Sequence, residues 1–100
     1  MRGSRTGRPI MALLDLLGRR WTLRVLWELR AEPLNFRELR ERCDGMSPSV
    51  LNTRLGELRD AGIVDLGDRG YALTLEGREL GSALGPLDAW AGRWARRADQ

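Results

Sequence analysis

The segment GMSPSVLNTRLGELRDAGIVD, residues 45–65, constrains the fold more tightly than any other part of the chain. Ser47 is a strong helix N-cap, and Pro48 stands at the first helical position, where its missing N–H costs nothing. The helix runs to about Asp60, and Gly62 is the glycine that ends it. Leu51, Leu55 and Leu58 are spaced i, i+4, i+7, so they share one face and require a core beneath it. Opposite them lie Ser49, Asn52, Thr53 and Gly56, polar and short. Glycine inside a helix costs roughly 1 kcal/mol relative to alanine. Close approach of DNA or close packing of a second helix would each justify Gly56.

The elements on either side give this helix its context. Residues 1–9, MRGSRTGRP, are basic and aperiodic and are expected to form a flexible tail. Residues 10–97 form the domain. Met11, Leu13, Leu14, Leu16 and Leu17 make a short apolar helix ending near Gly18. A second helix, about Arg20 to Ala31, carries Trp21, Val25, Leu26 and Leu29 at helical spacing, and Glu32-Pro33 stops it. Asn35 caps a third helix from Phe36 to about Cys43, with Glu38 completing a capping-box pair. After the long helix, Ile63-Val64-Asp65 and Tyr71-Ala72-Leu73 read as two strands with Leu66 to Gly70 between them. Thr74 caps a C-terminal helical region to about Arg97, kinked at Gly85-Pro86. The expected class is mainly α with a small β-hairpin. A helix-turn-helix followed at once by a hairpin is a winged helix-turn-helix, with order α-α-α-α-β-β-α and a kinked C-terminal helix.

Composition removes several functions. The 100 residues contain no histidine and one cysteine, Cys43. A zinc site and a Ser-His or Cys-His nucleophile pair cannot be assembled, so no catalytic residue, metal or cofactor is assigned. The expectation is a protein that is not an enzyme. A lone cysteine forms no internal disulfide, which suits a reducing cytoplasm. No apolar run approaches ~18 residues, and the first ten residues lack the apolar core of a secretion signal. Net charge is +3, with ten Arg against five acids in residues 1–42 and seven against nine in residues 43–100. All 17 cations are arginine, a good fork for phosphates, although a G- and C-rich genome favours the same codons.

A helix with a small polar stripe can seat deeply in a major groove about 12 Å wide. Ser49, Val50, Asn52 and Thr53 are the candidate base readers. Asn pairs bidentately with adenine, Ser and Thr bond base edges, and the Val50 and Thr53 methyls can meet a thymine methyl. Arg37, Ser47, Arg54, Arg59 and Arg69 are the candidate contacts to the DNA backbone. Arg40 and Arg42 share the third helix with Arg37 and are expected to face phosphates in part, because the first helix of such a motif crosses the DNA backbone, while Glu38 and Glu41 among them make part of that charge ordinary surface. Glu57 and Asp60 at the margin of the stripe count against DNA. Trp90 and Trp94 lie i, i+4 on the last helix with Leu87 one turn earlier. That stripe reads as a dimer interface, as intrachain packing on the first helix, or as a pocket for an aromatic ligand.

The motifs LDLLGRRWT, NFREL, GMSPSVLNTRLGELRDAGIV and YALTLEGREL, in that order over residues 12–94, resemble the HxlR-type transcriptional regulators, relatives of the MarR group. The resemblance implies a homodimer that binds double-stranded operator DNA, with residues 47–59 as recognition helix and residues 68–70 as wing tip. It implies that the terminal helices build the dimer, which selects Leu13, Leu17, Leu84, Leu87, Trp90 and Trp94. An effector, unidentified here, would bind between subunits. Arg19 and Arg20 replace the family's basic position before the tryptophan and are candidates for the DNA backbone. Arg2, Arg5 and Arg8 could follow phosphates as a basic arm. Two features depart from the family. Many members carry an N-terminal cysteine that in some senses oxidants, and residues 1–30 here have none. The wing is also short. The alternative function is a winged-helix module for protein–protein contact through the aromatic C-terminal helix.

Overall fold

The computed structural model describes residues 7–99, so Arg2 and Arg5 of the basic tail lie outside the described residues. The helices are α1 (Pro9–Leu17), α2 (Thr22–Leu29), α3 (Phe36–Arg42), α4 (Pro48–Asp60), α5 (Leu75–Leu84) and α6 (Pro86–Ala98). The strands are β1 (Val64–Gly67) and β2 (Gly70–Leu73), paired antiparallel with Val64 opposite Leu73 and Gly67 opposite Gly70. The winged helix-turn-helix architecture expected from the sequence is present.

Local chemistry sets the boundaries. Pro9 occupies the first position of α1, one residue before the expected start. Asn35 caps α3 with the complete capping box: its Oδ1 accepts from the Glu38 N–H at 2.8 Å, and Glu38 Oε1 accepts from the Asn35 N–H at 2.9 Å. Ser47 caps α4 by accepting from the Val50 N–H. Thr74 caps α5 by accepting from the Gly77 N–H at 3.0 Å, while its own hydroxyl donates to the Gly62 carbonyl at 2.6 Å. That hydroxyl ties the start of α5 to the end of α4. Gly85 keeps a helical backbone, so the Pro86 break is a joint between α5 and α6 rather than a loop.

Two boundaries differ from the expectation. α2 begins at Thr22 rather than Arg20, because Trp21 takes a left-handed backbone with φ 78° and cannot continue a helix. Left-handed backbone is uncommon for so bulky a residue. The half-buried Trp21 ring packs on the core, which offsets that cost. The hairpin is also longer than expected, with only Asp68 and Arg69 between the strands. Ile63 lies outside β1 and serves as a core residue. Leu34, before α3, adds a single bridge to Tyr71, with N–H to O distances of 2.9 and 2.8 Å. This close approach explains Gly70: at φ +112° an added Cβ would lie 2.5 Å from the Leu34 carbonyl oxygen.

The core lies between α2, α3, α4 and the hairpin. Val25, Leu29, Leu34, Leu39, Leu51, Leu55 and Leu58 are at most 2 % exposed. The leucine stripe of α4 is therefore its buried face. Cys43 is fully buried in the same core. α6 stands apart, with no buried residue. The Cα radius of gyration is 14.5 Å, above the ~13 Å of a compact 100-residue domain.

Candidate nucleic-acid interface

The turn of the helix-turn-helix is built from two left-handed residues, Asp44 at φ 59° and Gly45 at φ 68°. Arg40 fastens it. Its Nε donates to the Met46 carbonyl at 2.7 Å and its Nη2 to the Gly45 carbonyl at 3.4 Å. Arg24 buttresses the same turn from α2, pairing with Asp44 at 3.2 Å and donating to the Arg42 carbonyl at 2.7 Å. Arg42 reaches back to Glu32 at 3.3 Å. Of the three arginines on α3, Arg40 is half-buried, Arg42 is exposed but paired with Glu32, and Arg37 is the most exposed, with its side chain 89 % exposed and paired with Glu41 at 3.4 Å. The charge of Arg40 thus holds α3 and α4 at their mutual angle.

α4 presents Ser49, Asn52, Thr53, Gly56 and Arg59 to solvent. The Ser47 and Ser49 hydroxyls lie 3.1 Å apart. Thr53, itself exposed, donates its hydroxyl proton to the Ser49 carbonyl at 2.9 Å, which leaves the hydroxyl oxygen's lone pairs available to accept. The Asn52 amide and the Arg59 guanidinium have no partner among the described residues, so both retain their full hydrogen-bonding capacity. Around Gly56 an added Cβ meets nothing within 4 Å. Among the described residues, packing of another helix of the same chain is thereby removed as the reason for that glycine.

The flank of α4 facing the α1–α2 loop behaves differently. Val50 is half-buried and packs on the core. Arg54, a candidate backbone contact, is 20 % exposed; it donates to the Arg20 carbonyl at 2.8 Å and pairs with Glu57 at 2.8 Å. Glu57 also receives Arg19 at 2.7 Å. The acid that counted against DNA is therefore neutralised between two arginines and turned away from the stripe. Sequence periodicity places Val50 and Arg54 beside the stripe but does not show that a loop covers that side. Arg20 has no carboxylate partner among the described residues, and its guanidinium lies 5.8 Å from the centre of the Trp21 ring.

Arg69 sits exposed at the wing tip, on a hairpin whose strands have four residues each. Among the residues expected at a dimer interface, Leu17 is 8 % exposed and belongs to the protomer's own core, and Leu13 is half-buried against it. Leu84 is half-buried. Leu87, Trp90 and Trp94 are about half exposed, at 56, 48 and 58 %. The two indoles stack with centroids 5.9 Å apart. No residue of α6 is buried. Among the described residues no group of His, Cys, Asp and Glu can hold a metal ion, and no helix is long and apolar enough to cross a membrane.

Known proteins share this arrangement. The HxlR-like helix-turn-helix family matches residues 16–99. The uncharacterized HTH-type transcriptional regulator YvaP of Bacillus subtilis is 31% identical over 88 residues, which cover 81% of this chain and 82% of YvaP. A possible HxlR family transcriptional factor from Thermoplasma volcanium superposes with TM-score 0.77 at 29% identity, covering 89% of this chain and 86% of that one. The quinone-bound YodB of Bacillus subtilis superposes with TM-score 0.76 at 31% identity, covering 84% of this chain and 96% of YodB.

Proposed function

The chain belongs to the HxlR-like helix-turn-helix family of transcriptional regulators, and from that premise we propose that it works as a cytoplasmic homodimer on a palindromic operator. The observation that carries the proposal is the exposed stripe of α4. It is short, lacks an acid until Asp60, and keeps the Asn52 amide unpartnered among the described residues. Seated in a major groove, Ser49, Asn52 and Thr53 face base edges. Val50, half-buried, offers only the outer part of its side chain. Arg37, Arg59 and Arg69 project into solvent and suit phosphates. Ser47 and the first N–H groups of α4 form a site for another phosphate. Arg20, free of carboxylates, adds a cation beside them. Arg54 acts through the helix it fastens.

The test is selection of the purified protein on random duplexes at near-physiological salt. The expected result is a palindrome with half-sites about one helical turn, ~34 Å, apart. Asn52→Ala is expected to relax base preference at one position by ~1–3 kcal/mol. An equal loss for all sequences would remove Asn52 from base reading.

YodB binds a quinone in one of its structures. The present chain has its single cysteine buried, and burial pushes the Cys43 thiol pKa up, so an effector that acts on a reactive thiolate is a poor fit. The second reading, docking of an unrelated protein on α6, draws on the bare aromatic face of that helix. Retention on heparin with release by salt favours DNA over it.

A further inference from the structure

A groove of about 1120 Å³ runs between α1 and the C-terminal end of α4. Its floor is apolar, with Leu13, Leu16 and Ile63. Apolar clefts on the scale of ~300–1,000 Å³ hold small organic molecules, and the few polar groups on their walls choose among them. Here those groups are Asp15, Glu57, Asp60 and Arg19. Two of them cancel. Arg19 pairs with one Glu57 oxygen at 2.7 Å, and Arg54 holds the other at 2.8 Å. Asp15 and Asp60 remain, exposed and without a partner among the described residues. A neutral molecule laid on this floor strips water from both carboxylates without replacing it, and an anion is repelled by them. Asp60 is also the last residue of α4, and the carbonyl end of a helix favours positive charge beside it.

We propose that this groove binds a lipophilic organic cation, an ammonium or phosphonium carried on an apolar body. The charge lies beside Asp15 and Asp60, and the body covers Leu13, Leu16 and Ile63. Binding needs no DNA. Its transmission to DNA rests on the operator reading and extends it, naming a class of effector and a site within one protomer. Glu57 is the link. It stands in the wall of the groove and holds both Arg19 of the α1–α2 loop and Arg54 of α4. A cation seated beside Glu57 competes with Arg19, so the loop loosens its hold on α4. The loaded protein then keeps its recognition helix at a less fixed angle and binds its operator less tightly.

Tetraphenylphosphonium and tetraphenylborate test this, because they share shape and size and differ in the sign of their charge. In calorimetric titration of the full chain without DNA, tetraphenylphosphonium is expected to bind saturably, one ion per chain, at least tenfold more tightly than tetraphenylborate. That comparison needs no variant. Asp15→Asn with Asp60→Asn in one chain is expected to weaken binding of the cation at least tenfold, while Asp68→Asn at the wing tip, outside the groove, leaves it unchanged. Equal affinity for the two ions, affinity unmoved by the double variant, or no saturable binding overturns the site. On the selected operator, saturating tetraphenylphosphonium is expected to weaken binding at least threefold, with no such effect on the double variant, and the operator to weaken binding of the ion by the same factor. Saturable binding of the ion with unchanged operator affinity overturns the transmission through Glu57 and leaves the site. A chain that selects no duplex yet prefers tetraphenylphosphonium overturns the operator reading and leaves the site.

Discussion

Gly56 carries the cost of a helical glycine with no steric need for it inside the protomer, since the space around it is open. Gly56→Ala is expected to stabilise the protomer by ~1 kcal/mol in urea unfolding while weakening operator binding at least tenfold. A gain in stability with unchanged binding would show that DNA does not approach there. Two arginines give the matching contrast. Arg20→Ala is expected to weaken all duplexes alike and to lower the salt slope by about one phosphate contact. Arg54→Ala is expected to cost stability as well as affinity, because it removes donors from the Arg20 carbonyl and Glu57. A slope change for Arg54→Ala equal to that of Arg20→Ala, with no loss of stability, would return Arg54 to the DNA backbone. At this scale the sequence shows the small face of α4 plainly. It does not show which neighbours of that face are already engaged, because this depends on a loop brought in from 34 residues away.

Capping chemistry made most elements legible. Asn35, Ser47 and Thr74 each cap the helix that the sequence places after them, and the Gly85-Pro86 joint falls where proline demands it. The turn before α2 was not legible. Arg20 and Trp21 extend the helical period of the residues that follow, yet the left-handed backbone of Trp21 delays the helix, and tertiary packing of a large ring overrides local pattern there. The Leu34–Tyr71 bridge was equally hidden, being one residue long and non-local. α6 is the element whose solution behaviour decides most. Trp90→Ala with Trp94→Ala is expected to leave helicity and the urea midpoint of the monomeric chain within about 0.5 kcal/mol of the parent, as for exposed positions, while shifting sedimentation toward monomer. A large loss of stability in the monomer would mean that the indoles support their own protomer.

The whole molecule joins a well-filled core to an arm that the core does not use. Its pH response follows from the core. Burial raises the Cys43 thiol pKa, so the folded state holds that proton more tightly than the unfolded chain does. The resulting stability is full below the ordinary thiol pKa of ~8.5 and is lost progressively as pH rises above it. Urea midpoints measured at neutral and alkaline pH are expected to fall less steeply for Cys43→Ala than for the parent, apart from the constant penalty of the smaller side chain. Parallel falls would show that Cys43 plays no part. The unburied α6 has a consequence of another kind. If its apolar face is satisfied only by a second copy, the amount of competent dimer follows the law of mass action and its concentration rises with the square of protomer abundance at low dose. Occupancy of the operator then has a threshold set by the number of chains in the cell, and dilution at division would act as a signal without any ligand.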